Sequence, residues 1–139
     1  MGGAGASGTG SGVPLRVLIG GEETDGSLAV IELCVGRDAP SPCHTHARED
    51  EIVYVLDGHL TFNLGGHCVE VAAGGCIRLP RNVEHSYRVV SDEARLLVIV
   101  TPAGLEGFFR ELGAPGALPV EHLVCTAARY GVAITGPAV

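Results

Sequence analysis

The stretch Cys-His-Thr-His-Ala-Arg-Glu-Asp-Glu-Ile-Val-Tyr-Val-Leu-Asp-Gly, residues 43–58, decides how this chain folds. The apolar, β-branched run Ile52 to Leu56 reads as a strand, and the pair Asp57-Gly58 after it reads as a hairpin turn. Just before the run, His44 and His46 stand two apart. In a strand that spacing sends both imidazoles to one face. Glu51 comes five residues after His46 and opens the apolar run. Two neutral imidazoles and a carboxylate on neighbouring strands can aim three donors at one point, a set suited to a first-row divalent ion. A fourth donor has to come from elsewhere, and His85 is the best candidate.

Outward from this stretch the chain is a series of short strands. Leu15 to Ile19 and Ser27 to Val35 precede it, separated by Gly20-Gly21. Cys43 to Ala47, Glu51 to Leu56, Leu60 to Leu64, Cys68 to Ala72, Cys76 to Leu79, Glu84 to Val90 and Arg95 to Thr101 follow at close spacing, with glycine or proline between several of them. Such a series predicts an all-β antiparallel sandwich or barrel over 13–101. After Pro102 the period changes. Leu105, Phe108, Phe109 and Leu112 form one helical face, Gly113 to Pro119 interrupts it, and Val120 to Tyr130 reads as a second helix. Gly131 to Thr135 reads as a final extended piece. The segment 102–139 is therefore expected to pack its helices on the barrel, over a sheet face or one end; a lid over substrate is the sharper alternative.

Residues 1–12 are almost all Gly, Ala, Ser and Thr, a composition that reads as a flexible tail. The letters Gly3-x-Gly5-x-x-Gly8 fall there, but no strand precedes them, so they are compositional rather than a dinucleotide fingerprint. The remaining length supports one domain. The net charge of −7 argues against nucleic acid or an anionic membrane as partner. All nine basic side chains are arginine, which excludes lysine Schiff-base chemistry. Cys34, Cys43, Cys68, Cys76 and Cys125 are scattered and never form C-x-x-C, so they read as reduced thiols in a reducing compartment. No apolar run approaches a membrane span and no signal peptide is legible, so a soluble cytoplasmic protein is expected.

Two segments carry the chemistry: His44-x-His46-x4-Glu51-x6-Gly58 and Gly74-x5-Pro80-x4-His85. Together they resemble the two signature motifs of the cupin superfamily, small antiparallel jelly-roll β-barrels with a metal site inside. The resemblance spans about residues 28–101. It implies that His44, His46, Glu51 and His85 take the ligand positions. The chain departs from the family pattern in three places. Seven residues separate Gly36 from His44 where five are usual, Asn82 stands for a glycine, and Val89 replaces a final asparagine. None removes a ligand, and Asn82 still tolerates a left-handed backbone. Val89, four on from His85, makes the pocket more apolar, and alternation puts Tyr87 on the same side.

Other polar residues have blander readings. His59, His67 and His122 are expected at the surface, Cys43 is turned away from the site, and Glu49 is a minor alternative to Glu51 as ligand. Arg48, Arg78 and Arg81 are read as solvated, with steering of an anionic substrate as the alternative. The runs around Glu51 and Leu96 to Gly104 resemble small bacterial cupins related to quercetin dioxygenase. That likeness implies one divalent first-row metal (iron, manganese, nickel, copper or zinc), with Glu51 as both ligand and catalytic base. It implies a small-molecule substrate of flavonol or aromatic-polyketide type, bound against Tyr87 and Val89. Two other classes stay open: a non-redox cyclase or isomerase, and a ligand-binding barrel without turnover. A homodimer is expected through barrel edges, with the Leu15 to Ile19 strand free to cross to a partner.

Overall fold

The computed structural model describes residues 15–39, 41–112 and 120–138. The tail at 1–12 and the break at Gly113 to Pro119 lie outside the described residues. The strands are β1 (Leu15–Ile19), β2 (Ala29–Gly36), β3 (Pro42–His46), β4 (Asp50–Asp57), β5 (His59–Leu64), β6 (His67–Ala72), β7 (Cys76–Leu79), β8 (His85–Val89), β9 (Glu93–Thr101) and β10 (Val132–Ala138). The helices are a single turn, α1 (Gly21–Thr24), then α2 (Leu105–Leu112) and α3 (Val120–Arg129).

Two five-stranded antiparallel sheets face each other, in the orders β1-β2-β9-β4-β7 and β10-β3-β8-β5-β6. Consecutive strands repeatedly change sheet, as in a jelly roll. Alternation decides which side chains face inward. Ile31, Leu33 and Val35 of β2, Val53 and Val55 of β4, Leu60 and Phe62 of β5, and Leu96, Val98 and Val100 of β9 form one buried core between the sheets. On α2, Leu105 and Phe108 are buried and Phe109 and Leu112 pack partly against the core, so the helical period read from the sequence marks the packed face.

The structure corrects one turn. β4 pairs with β7 and β9, whereas β5 pairs with β6 and β8, so Asp57-Gly58 is no hairpin. It is a corner where the chain leaves one sheet for the other. Gly58 has φ +99°, and its backbone passes so close to β9 that a Cβ would sit 2.6 Å from the Glu93 carbonyl oxygen. Gly65-Gly66, by contrast, joins the paired strands β5 and β6 and is a true hairpin turn. The chain after Pro102 also does more than cover the barrel: β10 pairs with β3 and becomes an edge strand of the second sheet. β1 pairs with β2 of its own chain.

Candidate metal centre

β3 carries His44 and His46 on its inner face, and β8 begins with His85 directly opposite His44 in the sheet register. Glu51, at the start of β4, reaches the same place from the opposite sheet. The three histidines each offer a ring nitrogen, all within 4.8 Å of one another. The rings of His44 and His85 are 4.3 Å apart edge to face, and those of His46 and His85 lie parallel at 5.3 Å. Glu51 Oε1 lies 3.2 Å from His46 Nε2 and 3.6 Å from His85 Nε2. His46, Glu51 and His85 are 4%, 8% and 3% exposed, so this is a dry polar cluster.

The outward ring nitrogens are tied down. His44 Nδ1 lies 2.8 Å from the Pro42 carbonyl and His85 Nδ1 lies 3.3 Å from the Val83 carbonyl. A carbonyl only accepts, so in each ring Nδ1 is the donor, which leaves Nε2 as the nitrogen turned inward. His46 Nδ1 has a different neighbour, Glu49 Oε1 at 3.4 Å. Glu49 thus stands behind the His46 ring, away from the point that Glu51 and the other imidazoles share. Both nitrogens of His46, Glu49 Oε1 and Glu51 Oε1 are buried without an aligned hydrogen bond. Buried polar atoms without partners are costly. A divalent ion held by the Nε2 atoms and Glu51 Oε1 would satisfy the inner pair, so the donor set fits a first-row metal.

Electrostatics without an ion follow from the same contacts. Burial, reinforced by the charges of His85 and His46, pushes the His44 imidazole down to about 4. Burial also opposes charge on His46, but Glu49 and Glu51 outweigh it and hold this ring up at about 9. For Glu51, burial favours the neutral acid, yet the contacts with His46 and His85 win and keep the carboxyl far below its usual range. Tyr87 is pushed up to about 12 by burial and by the Glu51 charge, so its phenol stays protonated.

The remaining expectations sort by location. Tyr87 is half-buried beside the site, its backbone N–H donating to Ser41 Oγ at 3.1 Å. Val89 is packed in the core at 3% exposure. His67 and His122 are exposed, and half-buried His59 touches Glu70 at 3.2 Å. Cys43 is half-buried, and all five cysteines are free. Every arginine is exposed; Arg78 and Arg81 face Asp50, and Arg48 lies across Gly131. No helix among the described residues is long and apolar enough to cross a membrane.

Residues 30–101 match the cupin domain family. The chain belongs to that family. This cupin is 29% identical to the quercetin 2,3-dioxygenase of Bacillus subtilis over 100 residues, which cover 72% of the cupin but only 30% of that relative. Among solved structures it resembles KdgF from Halomonas, with TM-score 0.60 and 18% identity over 67% of this chain and 81% of the other. It also resembles Pac13 from Streptomyces, a nucleoside dehydratase, with TM-score 0.51 and 24% identity over 60% and 66%. At those identities the two structures speak for the fold alone. Sequence reading of the cupin missed the place of Glu49, because a loop residue three on from His46 has no strand alternation to orient it.

Proposed function

We propose that this cupin is a metal-dependent enzyme, a quercetinase-like dioxygenase acting on a flavonol or an aromatic-polyketide-like enol. The observation that carries the reading is the convergence of His44, His46, Glu51 and His85 from both sheets on one buried point of the barrel. The bound metal (iron, manganese, nickel, copper or zinc) would polarise an enolate or bring dioxygen to it. The chain's own residues do the rest. The proposed substrate surface is Tyr87 with Val89, whose apolar side chain would suit an aromatic ligand. With all nine arginines at the surface, no guanidinium lies inside to neutralise an anionic group. Glu51 stays ionised, free to ligate and to accept a substrate proton. Tyr87 keeps its phenolic proton and can donate a hydrogen bond to a substrate oxygen.

That protonated phenol also favours a second reading, a non-redox cyclase or isomerase using the same site. One experiment separates them: quercetin is added to metal-loaded protein with and without oxygen. Oxygen uptake with loss of the flavonol absorption, seen only in air, is the expected result. An unchanged spectrum and no uptake by folded, loaded protein sinks the flavonol assignment, and anaerobic conversion of an aromatic polyketide would move it to the second reading.

The same proposal takes the protein as a homodimer. The outer face of the β1–β7 sheet exposes Leu18 and Tyr54, at 42% and 37%, beside half-buried Ile52, Leu97 and Ile99. Its central charges are paired, Glu32 bridging Arg16 at 2.6 Å and Arg95 at 2.7 Å. A second copy would cover the exposed Leu18 and Tyr54 side chains of this face. Light scattering should give twice the 14.3 kDa chain mass, falling to one chain in Tyr54→Glu. A monomeric parent at micromolar concentration ends the idea.

A further inference from the structure

Glu49 is a carboxylate at 2% exposure in the turn between β3 and β4. Acidic side chains are almost never buried this completely without a partner. Its Oε1 has no aligned hydrogen bond, and it faces His46 Nδ1 at 3.4 Å. The turn itself is pinned from both sides. Ala47 N–H donates to the Gly131 carbonyl at 2.9 Å, and the Arg48 side chain lies across Gly131, 2.9 Å from where a Cβ would sit. On the other side, Asn82 N–H donates to the His46 carbonyl at 2.7 Å and Arg81 N–H donates to Asp50 Oδ1 at 2.8 Å. A buried acid is thus held rigidly against one ring. The other two rings lean on neutral carbonyls of their own strands or turns.

We infer that Glu49 is a positioning residue of the centre: its carboxylate holds the His46 imidazole as the Nδ1–H tautomer, aims Nε2 inward, and makes His46 the strongest donor of the three histidines. The inference rests on the metal-centre reading above. A carboxylate behind an imidazole fixes ring orientation and raises the basicity of the far nitrogen more than a carbonyl does. It also separates the two acids of the stretch, Glu51 on the inner nitrogen of His46 and Glu49 on the outer one.

The test compares the parent with Glu49→Ala and Glu49→Gln. Zinc affinity is read by chelator competition, and the His46 ring by nitrogen-detected NMR of the zinc-loaded protein. Glu49→Ala should bind zinc about 10–100-fold more weakly and lose the protected Nδ1 proton. Glu49→Gln should keep that proton, because its amide oxygen still accepts, and should lose less affinity than the alanine variant. A role in packing alone would lower the melting temperature without moving the ring signal, and would overturn the inference. So would variants that bind zinc within twofold of a zinc-binding parent, a result that leaves the centre standing. A cobalt-loaded spectrum showing a lost ligand in both variants would make Glu49 a ligand and overturn positioning. A parent that takes up no zinc removes the centre and the inference together. Should Glu49→Ala not fold, Glu49→Gln decides: unchanged affinity and unchanged ring signal overturn the proposal, and a several-fold loss with the Nδ1 proton retained supports it.

Discussion

Replacing His46 with alanine is expected to abolish metal uptake. Elemental analysis of the parent should find about one first-row metal per chain, and of His46→Ala essentially none. Loss of one inner donor from a four-donor site should cost at least about 100-fold in affinity, more than the loss of an outer-shell partner. The effect is larger here because the same change strands Glu49 and Glu51, whose Oε1 atoms have no aligned partner even with His46 present. Proton counting gives an independent signature. In the metal-free protein His46 is held up at about 9, so at pH 7.5 it carries a proton that a ligand must give up. His44, pushed down to about 4, carries none at that pH. Metal binding at pH 7.5 should therefore release about one proton from His46, and affinity should rise about tenfold per pH unit until pH nears 9, then level off. For stability the sign is the same. A raised His46 stabilises the metal-free fold fully below its unfolded value of 6.5, and that contribution is lost as pH rises through about 9. Calorimetry in buffers of different ionisation enthalpy measures the release. A parent that binds metal with no proton released would show His46 already neutral and refute the charged cluster.

The second large effect falls far from the centre. Gly58→Val should destabilise the protein by about 2–6 kcal/mol. A β-branched residue at φ +99° costs about 1–3 kcal/mol in backbone strain alone. Its Cβ would also lie 2.6 Å from the Glu93 carbonyl oxygen and 2.8 Å from Ala94 Cα. Those atoms belong to β9, paired on both sides with β2 and β4, so they have no room to retreat. The overlap adds a cost of similar size, about 1–3 kcal/mol. Gly74, at φ +90° with open space around its Cβ position, is the control. Gly74→Ala should cost only the backbone part. Urea unfolding of both variants checks the difference. Equal costs would mean that the corner at Gly58 is not tight against β9.

Much of this molecule was legible because local rules act alone in it. Strand alternation placed His44 and His46 on one face and kept Cys43 off it, since side-chain direction in a strand needs no tertiary information. The same rule put Tyr87 on the His85 side. The helical face of α2 followed from its period. Pairing partners did not follow. Asp57-Gly58 carries hairpin letters, but whether β4 turns back on itself or crosses to the other sheet depends on what β9 does some forty residues later. The return of the chain as β10 beside β3 is equally non-local.

At the centre the division is the same. The sequence by itself determined which donors exist, their spacing along each strand, and the absence of any lysine to do other chemistry. Only the tertiary structure decided that Glu51 meets the imidazoles from the opposite sheet, and that Glu49 stands behind His46 rather than beside Glu51. The reason is geometric. A strand orients its own side chains every second residue, but a turn orients them only through what holds it. Here that is Gly131 from the end of the chain and Arg81-Asn82 from the turn after β7.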